Sequence, residues 1–278
     1  MTISIDLDAV DDLIRTVAAE HILPRFRRLA SHEVQEKSPG NLVTVADVEA
    51  ERALTHELRQ RMPGSLVVGE EAVAADPLVL DRLADDAPVW ILDPVDGTMN
   101  FTRSIARFAV MVALSQHGSV QAGWIHDPVT GETAMAMLGK GTVLRRADRS
   151  REILRRPEPP PLGAMRGAAA GRIGERGRAR DILERSGRVG PLTRVNSAGH
   201  EYLDLLRGRH DYVSFSRALP WDHAPGVLIY REAGGEVAYI DGASPGDTPY
   251  SPLRHHGPLL AAPTPALWSA LREILMAA

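Results

Sequence analysis

Two carboxylates three residues apart, Asp93 and Asp96, are the side chains whose type and spacing point most directly to chemistry. They come after the apolar residues 89–92, and a short apolar run that ends in turn residues is typical of a buried strand entering a loop. Open α/β sheets bind their ligands at the edge where such strands end. Two ionised acids at that edge need a compensating cation, and a hard divalent ion with oxygen ligands is the simplest one. The sequence therefore predicts a metal site.

Three more acids are expected at comparable positions. Glu70 and Glu71 follow the apolar residues 66–68, and Asp222 stands where a helix is expected to begin. Taken singly, each acid has a structural explanation as a solvated loop, an ordinary turn or a helix cap. Gly97 favours a ligand site over these structural explanations, because glycine lets the backbone approach a ligand and the N–H groups after it can face an anion. Carboxylates for a metal beside amides for a phosphate are the outline of metal-assisted phosphate ester hydrolysis.

The elements that must position these acids alternate between helix and strand. Apolar residues recur at helical spacing between residues 7 and 29, which predicts an opening helix. Thr44, with Asp47 three residues later, is typical of a helix start, and Pro63 marks where that helix stops. The other predicted elements are strands at residues 66–68, 89–92, 109–114, 121–125 and 212–215, with 109–114 paired to 121–125, and helices at 179–184, 201–206 and 222–233, the last capped by Asp222.

Length and composition predict an ordinary globular protein with one or two domains. The 278 residues can bury a large core, and the hydrophobic content of 44% is near the globular average. Residues 157–161 are rich in proline, which stiffens a connection and cannot donate to a sheet. We place a boundary there, between an N-terminal α+β domain (1–156) with most of the metal ligands and a C-terminal α/β domain (157–278) that supplies Asp222 and a pocket wall.

Several classes of protein are disfavoured by the charge and residue usage. The chain has no cysteine, its first residues lack the layout of a secretory signal, and no apolar stretch approaches the roughly 20 residues that cross a bilayer. A cytoplasmic protein without a membrane partner is expected. The net charge of −4 argues against a nucleic-acid binder. Arginines crowd residues 145–188, either as a patch for an anionic partner or as a solvated surface paired with acids; we favour the second interpretation, with Asp148, Glu152, Glu175, Asp181 and Glu184 as partners.

The motifs resemble those of a known family. Residues 93–101, Asp-Pro-Val-Asp-Gly-Thr-Met-Asn-Phe, resemble the first signature of the inositol monophosphatase family. Residues 221–226 with 232–235 resemble its second signature, and residues 69–71 and 44–47 match two further family elements in the expected order. The resemblance covers roughly residues 37–240. It implies a layered α/β sugar-phosphatase fold of alternating helix and sheet layers, a homodimer and the use of Mg²⁺.

The resemblance also assigns the metal ligands. It implies that Glu70, Asp93 and the backbone carbonyl of Val95 hold a first Mg²⁺ ion. Asp93, Asp96 and Asp222 would hold a second, with Asp93 bridging the two. A third, weaker ion would rest on Glu70 and water, so that two or three ions are expected in each subunit.

Catalytic and substrate contacts follow from the same resemblance. Thr98 with Asp47 would orient and deprotonate the attacking water, and Glu71 would fix solvent near the metals. The amides of Gly97 and Thr98 would bind the phosphate. Residues that would contact the substrate are Gly97, Thr98, Ala198, Phe215 and Asp222, and Lys37 stands where family members often carry a lysine near the third ion.

The chain departs from the family pattern around the substrate. Some inositol-hydrolysing members carry an acid just before the second signature, whereas residues 214–220 contain none and include Phe215 and Arg217. The family Gly-Ser/Thr-Ala-Ala element is replaced by residues 196–199, Asn-Ser-Ala-Gly, and Pro225 stands where a small residue is usual. A substrate with an apolar or second anionic group suits this pocket better than a bare polyol. Inositol monophosphate, fructose 1,6-bisphosphate, histidinol phosphate and a nucleotide 3′-phosphate remain open, as does a non-enzymatic binding or regulatory member.

Overall fold

A computed structural model describes residues 5–170 and 175–277, and three sheets are present in these ranges. A hairpin of β1 (Val34–Ser38) and β2 (Asn41–Thr44) precedes the others. The seven-stranded sheet runs in spatial order β3 (Leu66–Gly69), β4 (Val89–Asp96), β5 (Ala109–Gln116), β6 (Ser119–Asp127), β7 (Glu132–Met137), β8 (Thr142–Arg145), β9 (Arg151–Leu154). The five-stranded sheet contains β10 (Gly167–Ala170), β11 (Leu192–Thr193), β12 (Tyr212–Phe215), β13 (Glu236–Tyr239) and β14 (Leu259–Ala262), in the order β11-β10-β12-β14-β13.

Helices form the alternate layers. The α-helices of the described ranges are α1 (Leu7–Val17), α2 (Val45–Arg61), α3 (Glu70–Ala75), α4 (Thr98–Thr102), α5 (Glu175–Ser186), α6 (Ala198–Leu206), α7 (Pro220–Glu232) and α8 (Pro265–Met276). Short 3-10 turns lie at Ser31–Glu33, Pro77–Ala84 and Leu162–Ala164. In the part of the chain that the structure describes, no helix has the length and apolar character needed to cross a membrane.

The layers follow one another as helix, sheet, helix, sheet, helix. α1 and α2 cover one face of the seven-stranded sheet, and α6 and α7 lie between its other face and the five-stranded sheet. α5 and α8 cover the outer face of the five-stranded sheet. Three clusters of buried apolar side chains fill the spaces between these layers, and the central cluster takes residues from both large sheets. The layered α/β fold predicted from the sequence is confirmed; the boundary at residues 156/157 stays a prediction.

In two predicted elements a proline accounts for bounds that differ from the prediction. The opening helix ends at Val17, continues as a wider π turn at Ala18–Ile22 and closes with a 3-10 turn at Leu23–Arg25. Pro24 lies in that last turn and has no N–H to continue the helix. The strand expected at residues 89–92 runs on to Asp96, because Pro94 falls where the pairing with β5 shifts register and no ladder bond is needed.

Helix α7 also begins earlier than the sequence analysis predicted. Its N-cap is Leu219 and its first residue is Pro220, which has a backbone angle suited to that position. Asp222 is therefore not a cap but a residue of the first helical turn, where the helix dipole favours a negative charge. The predicted helix start at Thr44 is confirmed: its side chain accepts from the Ala46 amide, and Asp47 completes the capping box.

Many arginines of residues 145–188 form ion pairs in the described part of the chain. Arg145 is 5% exposed and bonds to Asp11 and Asp12 of α1 at 2.7 and 2.8 Å. Glu152 and Glu184 are partners, as predicted, and the acids of α1 are additional ones. The other pairs are Arg145 with Asp8, Arg146 with Glu132 and Glu152, Arg149 with Asp12, Arg151 with Asp8, Arg156 with Glu158, Arg166 with Asp211, and Arg180 with Glu184; Arg172 lies outside the described residues.

Candidate active site

The register of the seven-stranded sheet brings two of the predicted metal ligands together. β3 and β4 are parallel, with Gly69 opposite Leu92, so Glu70 and Asp93 follow neighbouring positions at the same edge. α7 packs against β4 and β5 and brings Asp222 to this edge. One carboxylate oxygen from each of Glu70, Asp93 and Asp222 lies within 4.8 Å of the others. Three predicted ligands therefore form one cluster.

Burial and mutual repulsion dominate the electrostatics of this cluster. Asp93 is 2% exposed, and burial together with Glu70, Asp96 and Asp222 raises its pKa well above the usual range. Burial, Glu70 and Asp96 likewise raise the pKa of Asp222, although Arg217 and Lys37 oppose the shift. A divalent cation between these oxygens would remove the repulsion that raises both pKa values.

Asp96 faces a different set of partners. Its Oδ1 accepts from the Ala198 amide at 2.9 Å, and its Oδ2 accepts from the Gly199 amide at 2.8 Å and from the Ser197 hydroxyl. Burial raises its pKa to about 6, and these hydrogen bonds limit the rise. Asp96 thus ties the end of β4 to the beginning of α6, and its carboxylate stands beside the three-acid cluster rather than within it.

Asp47, Thr98 and Val95 form a hydrogen-bonded unit next to the cluster. The Thr98 hydroxyl lies 3.2 Å from Asp47 Oδ1 and 3.0 Å from the Val95 carbonyl oxygen. Asp47 is 1% exposed, and its Oδ2 accepts from the Thr44 amide at 2.9 Å and from the Thr44 hydroxyl. Burial raises the pKa of Asp47 to about 7, while the Thr44 hydrogen bonds work in the opposite direction. A carboxyl with that pKa can accept a proton near neutral pH.

Lys37 joins the two glutamates that open α3. Its Nζ donates to Glu70 Oε1 at 2.7 Å and to Glu71 Oε1 at 2.9 Å. Burial alone would lower the pKa of Lys37, but Glu70 and Glu71 outweigh burial and raise it. The lysine therefore stays charged at the edge of the acidic cluster and fixes both carboxylates.

A buried glutamate that the sequence analysis did not single out holds α3 in place. Glu51, on α2, accepts from the amides of Glu71 and Ala72 at 2.8 Å each. Burial raises its pKa to about 7. Gly69 makes room for this carboxylate, since a Cβ there would lie 2.3 Å from Glu51 Cδ. Glu51 and Gly69 together set where the glutamates of α3 point.

The acids open into a cavity of about 420 Å³. Gly97, with φ of +90°, is the N-cap of α4, and a Cβ there would meet Arg107 O at 3.1 Å and Ser197 Cβ at 3.0 Å. The first amides of α4 therefore start at the cavity wall. All the predicted metal ligands and substrate contacts line it, namely Glu70, Asp93, Val95, Asp96, Gly97, Thr98, Ala198, Phe215 and Asp222; Asp47 and Glu71 are joined to it through Thr98 and Lys37.

Phe215 contributes to the cavity as part of its packed floor. It is 2% exposed, and its ring stacks on Tyr202 with a centroid separation of 5.2 Å. The ring of His223 stands on its edge against Phe215 at 4.6 Å. Burial lowers the pKa of His223 to about 3, so the imidazole is neutral.

Three cavity or support residues were missed from the sequence, Glu51, Arg194 and Glu201, and the hydrogen bond from Ser197 to Asp96 was missed as well. Ser197 could have been found as a helix N-cap, because its side chain accepts from the His200 amide. Arg194 and Glu201 carry no local signal, since only the folding of β11 and α6 turns them toward the cavity.

Fold and site together define a layered α/β protein with an oxygen-rich cluster suited to a hard divalent cation. The model of the inositol monophosphatase family matches residues 6–275, and the chain belongs to that family. The family is enzymatic and is known to use metal ions, several relatives are named as phosphatases, and the chain is a phosphatase.

Individual relatives agree with this assignment. The Caulobacter vibrioides protein named inositol-1-monophosphatase is 31% identical over 225 residues, covering 81% of this chain and 86% of the relative. A Thermotoga maritima protein named fructose-1,6-bisphosphatase/inositol-1-monophosphatase is 31% identical over 209 residues, covering 74% and 75%. Among solved structures, a Thermotoga maritima IMPase superposes with a TM-score of 0.79 at 25% identity, covering 97% of this chain and 96% of that one.

Proposed function

We propose that this phosphatase is Mg²⁺-dependent and hydrolyses a small phosphorylated metabolite, a sugar or polyol phosphate, with an activated water as nucleophile. The observation that carries the proposal is the convergence of Glu70, Asp93 and Asp222 within 4.8 Å, beside the Asp47–Thr98 pair. Oxygen donors of this kind suit Mg²⁺. The family resemblance adds two or three ions per subunit.

The cation would be held by Glu70, Asp93 and Asp222, with Asp96 and the Val95 carbonyl close by. When bound, Mg²⁺ would supply charge for the phosphoryl oxygens and lower the pKa of water. Asp96 would have to share its oxygens between this role and the amides that open α6.

The Asp47–Thr98 pair would accept the proton of the attacking water. Thr98 donates its own hydroxyl proton to Asp47 or to the Val95 carbonyl, which leaves the lone pairs of its oxygen for a water. The water proton would pass to the Thr98 oxygen as the Thr98 proton moves to Asp47 Oδ1. Asp47 can hold it, because its pKa is raised to about 7.

Glu71 and the amides after Gly97 would complete the site. Glu71 is fixed by Lys37 and, through its own amide, by Glu51, and we assign it to ordering solvent at the cluster. The amides of Gly97 and Thr98 would bind the phosphate oxygens at the cavity wall. Ala198 would contact the substrate as part of the cavity wall and not through its amide, because that amide donates to Asp96.

A screen for released phosphate over several esters tests the proposal. The purified protein with Mg²⁺ is expected to hydrolyse at least one sugar or polyol phosphate, and EDTA is expected to stop turnover. Asp93→Asn and Asp222→Asn should abolish turnover while the protein stays folded, because each removes a charged cluster ligand. Asp81→Asn, at an exposed position away from the cavity, is the matched control and should retain activity. Full turnover in both cluster variants would refute the proposed site.

The proposal also covers the cellular location and the oligomeric state of the protein. The chain is proposed to work in the cytoplasm as a homodimer, with a small phosphorylated metabolite as its partner and without nucleic acid or membrane. Cell fractionation and light scattering of the purified protein measure these properties. Separate expression of residues 1–156 and 157–278 would test the domain boundary.

A further inference from the structure

One wall of the cavity is built from the carboxyl ends of three parallel strands. β10 pairs in parallel with β11 on one side and with β12 on the other. The residues that follow β11 and β12 therefore reach the same edge of the five-stranded sheet. Arg194 follows β11, Arg217 follows β12, and both line the cavity.

Arg194 is held at this wall by a neighbouring side chain. Its Nε donates to Asn196 Oδ1 at 2.8 Å. Asn196 has φ of +61°, a left-handed conformation that asparagine tolerates better than most residues. This local turn fixes the direction in which the exposed Arg194 guanidinium leaves the backbone.

The segment that carries Arg217 is fixed from the core. His223, which is 2% exposed, forms a hydrogen bond with the Arg217 backbone, and its Nδ1 lies 3.1 Å from the Tyr202 hydroxyl. The imidazole thus has a positioning role. Arg217 and Asp222 line the same cavity, so this arginine and the acidic cluster face one space.

The same cavity offers an acceptor for hydroxyl groups. Glu201, in the first turn of α6, is 2% exposed and lines the cavity. A carboxylate accepts hydrogen bonds from sugar or polyol hydroxyls. Guanidinium groups bind phosphates or carboxylates, often through two parallel N–H bonds. The wall therefore combines one group for hydroxyls with two for a negative charge that is not the reacting phosphate.

We infer that the substrate is a phosphorylated sugar or polyol with a second anionic group, a phosphate or a carboxylate, which Arg194 and Arg217 bind while Glu201 accepts its hydroxyls. The inference rests on the proposed phosphatase function and adds to it the part of the substrate that does not react. Asn196 and His223 are positioning residues for this subsite.

The experiment compares three esters in the full-length protein with Mg²⁺: fructose 1,6-bisphosphate, 6-phosphogluconate and inositol 1-phosphate. The readout is the ratio of kcat/KM for each two-anion ester to that for inositol 1-phosphate. The ratio is expected to exceed one for wild type with at least one two-anion ester. In Arg194→Gln with Arg217→Gln it should fall about 10- to 100-fold, mainly through KM, because hydrogen bonds to a charged group are lost. Arg188→Gln, an exposed arginine outside the cavity, is the matched control and should leave the ratio as in wild type.

The outcomes separate this inference from the function on which it rests. If none of the esters releases phosphate, the proposed function fails and the subsite with it. If esters are hydrolysed but wild type prefers inositol 1-phosphate to both others, or the double variant keeps the wild-type ratio within about twofold, only the second-anion subsite is wrong. A response limited to the bisphosphate or to the phosphogluconate supports the subsite and identifies the anion.

Discussion

Among single residues, Thr98 is placed between two hydrogen-bond acceptors that differ in their chemistry. Its hydroxyl is shared between Asp47 Oδ1 and the Val95 carbonyl, at 3.2 and 3.0 Å. One acceptor can receive a proton near neutral pH, because the pKa of Asp47 is about 7, and the other cannot. The hydroxyl can therefore turn between two partners without being left unpaired.

Removing either member of the pair should slow the chemical step. Asp47→Asn and Thr98→Ala are each expected to lower kcat by roughly 10²- to 10⁴-fold, because general base assistance is lost. Thr98→Ser should restore most of the rate, since it keeps the hydroxyl. Steady-state kinetics with a saturating ester measures these values. The double variant should be little worse than the slower single variant, as expected of residues that act as a unit. Fully additive losses would show that the two residues act separately.

Residue patterns in the sequence identified hydrogen-bond partners that are close in sequence and missed those that are far apart. Thr44 and Asp47 lie within one helical turn, so their capping box was predictable. Glu51 bonds to amides 20 and 21 residues away, and nothing in its neighbourhood indicates that contact. Ser197 reaches Asp96 across 101 residues. Residue types can be assigned from motifs, whereas partners at this range depend on the completed fold.

At the scale of elements, the position of α3 depends on Glu51 of α2, whose carboxylate fits only because residue 69 is a glycine. The six-residue helix carries Glu70 and Glu71, and it is too short to be stable by itself. The Glu51 carboxylate from α2 satisfies two of its first amides. The position of α3 is thus set by α2.

Gly69→Ala tests this dependence. A Cβ at position 69 would lie 2.3 Å from Glu51 Cδ, so the carboxylate must leave the α3 amides. The free energy of unfolding should fall by about 1–3 kcal/mol, the cost of unpaired buried groups, and the Mg²⁺ affinity should fall because Glu70 is no longer fixed. Urea unfolding and titration calorimetry measure the two effects.

Gly163→Ala is the control for this substitution, because nothing lies within 4 Å of the added Cβ. It should change neither stability nor Mg²⁺ affinity by a measurable amount. Equal behaviour of the two variants would mean that the Glu51 contact contributes little to α3.

Element types were easier to predict from the sequence than element ends. The paired strands β5 and β6 were predicted, because their apolar runs are bounded by turn residues. The ends of several elements were misplaced, and for β4, α1 and α7 the error involves a proline: Pro94, Pro24 and Pro220. Proline interrupts hydrogen bonding, but whether it stops an element depends on whether that bond is needed there.

For the whole molecule, the buried acids connect stability to pH and to the cation. The pKa values of Asp47 and Glu51 are raised to about 7 and that of Asp96 to about 6, whereas such groups titrate near 4 in an unfolded chain. The folded protein therefore binds more protons than the unfolded one between about pH 4 and 7. The contribution of these acids to the free energy of unfolding falls as the pH rises through that window.

Mg²⁺ should reverse this trend. It would bind the deprotonated forms of Asp93 and Asp222, whose pKa values are also raised in the folded protein, so the stabilisation it gives should increase from pH 5 to pH 8. At a concentration of 100 times its Kd, a ligand that binds only the folded state adds about 2.7 kcal/mol. Urea unfolding in EDTA and in Mg²⁺, repeated across this pH range, measures the difference. A difference that shrinks with rising pH would contradict the assignment of Glu70, Asp93 and Asp222 to cation binding.

The hydrogen bonds that Asp96 accepts from the start of α6 have a consequence for how the protein folds after synthesis. Glu70, Asp93 and Asp96 leave the ribosome long before Ser197 and Asp222, yet the site needs all of them. Contacts so distant in sequence form slowly, because a long loop must close first. A newly synthesised chain therefore passes through a period in which the first sheet is present but its acids lack their last neighbours. Catalytic competence should return later than secondary structure when the denatured protein refolds.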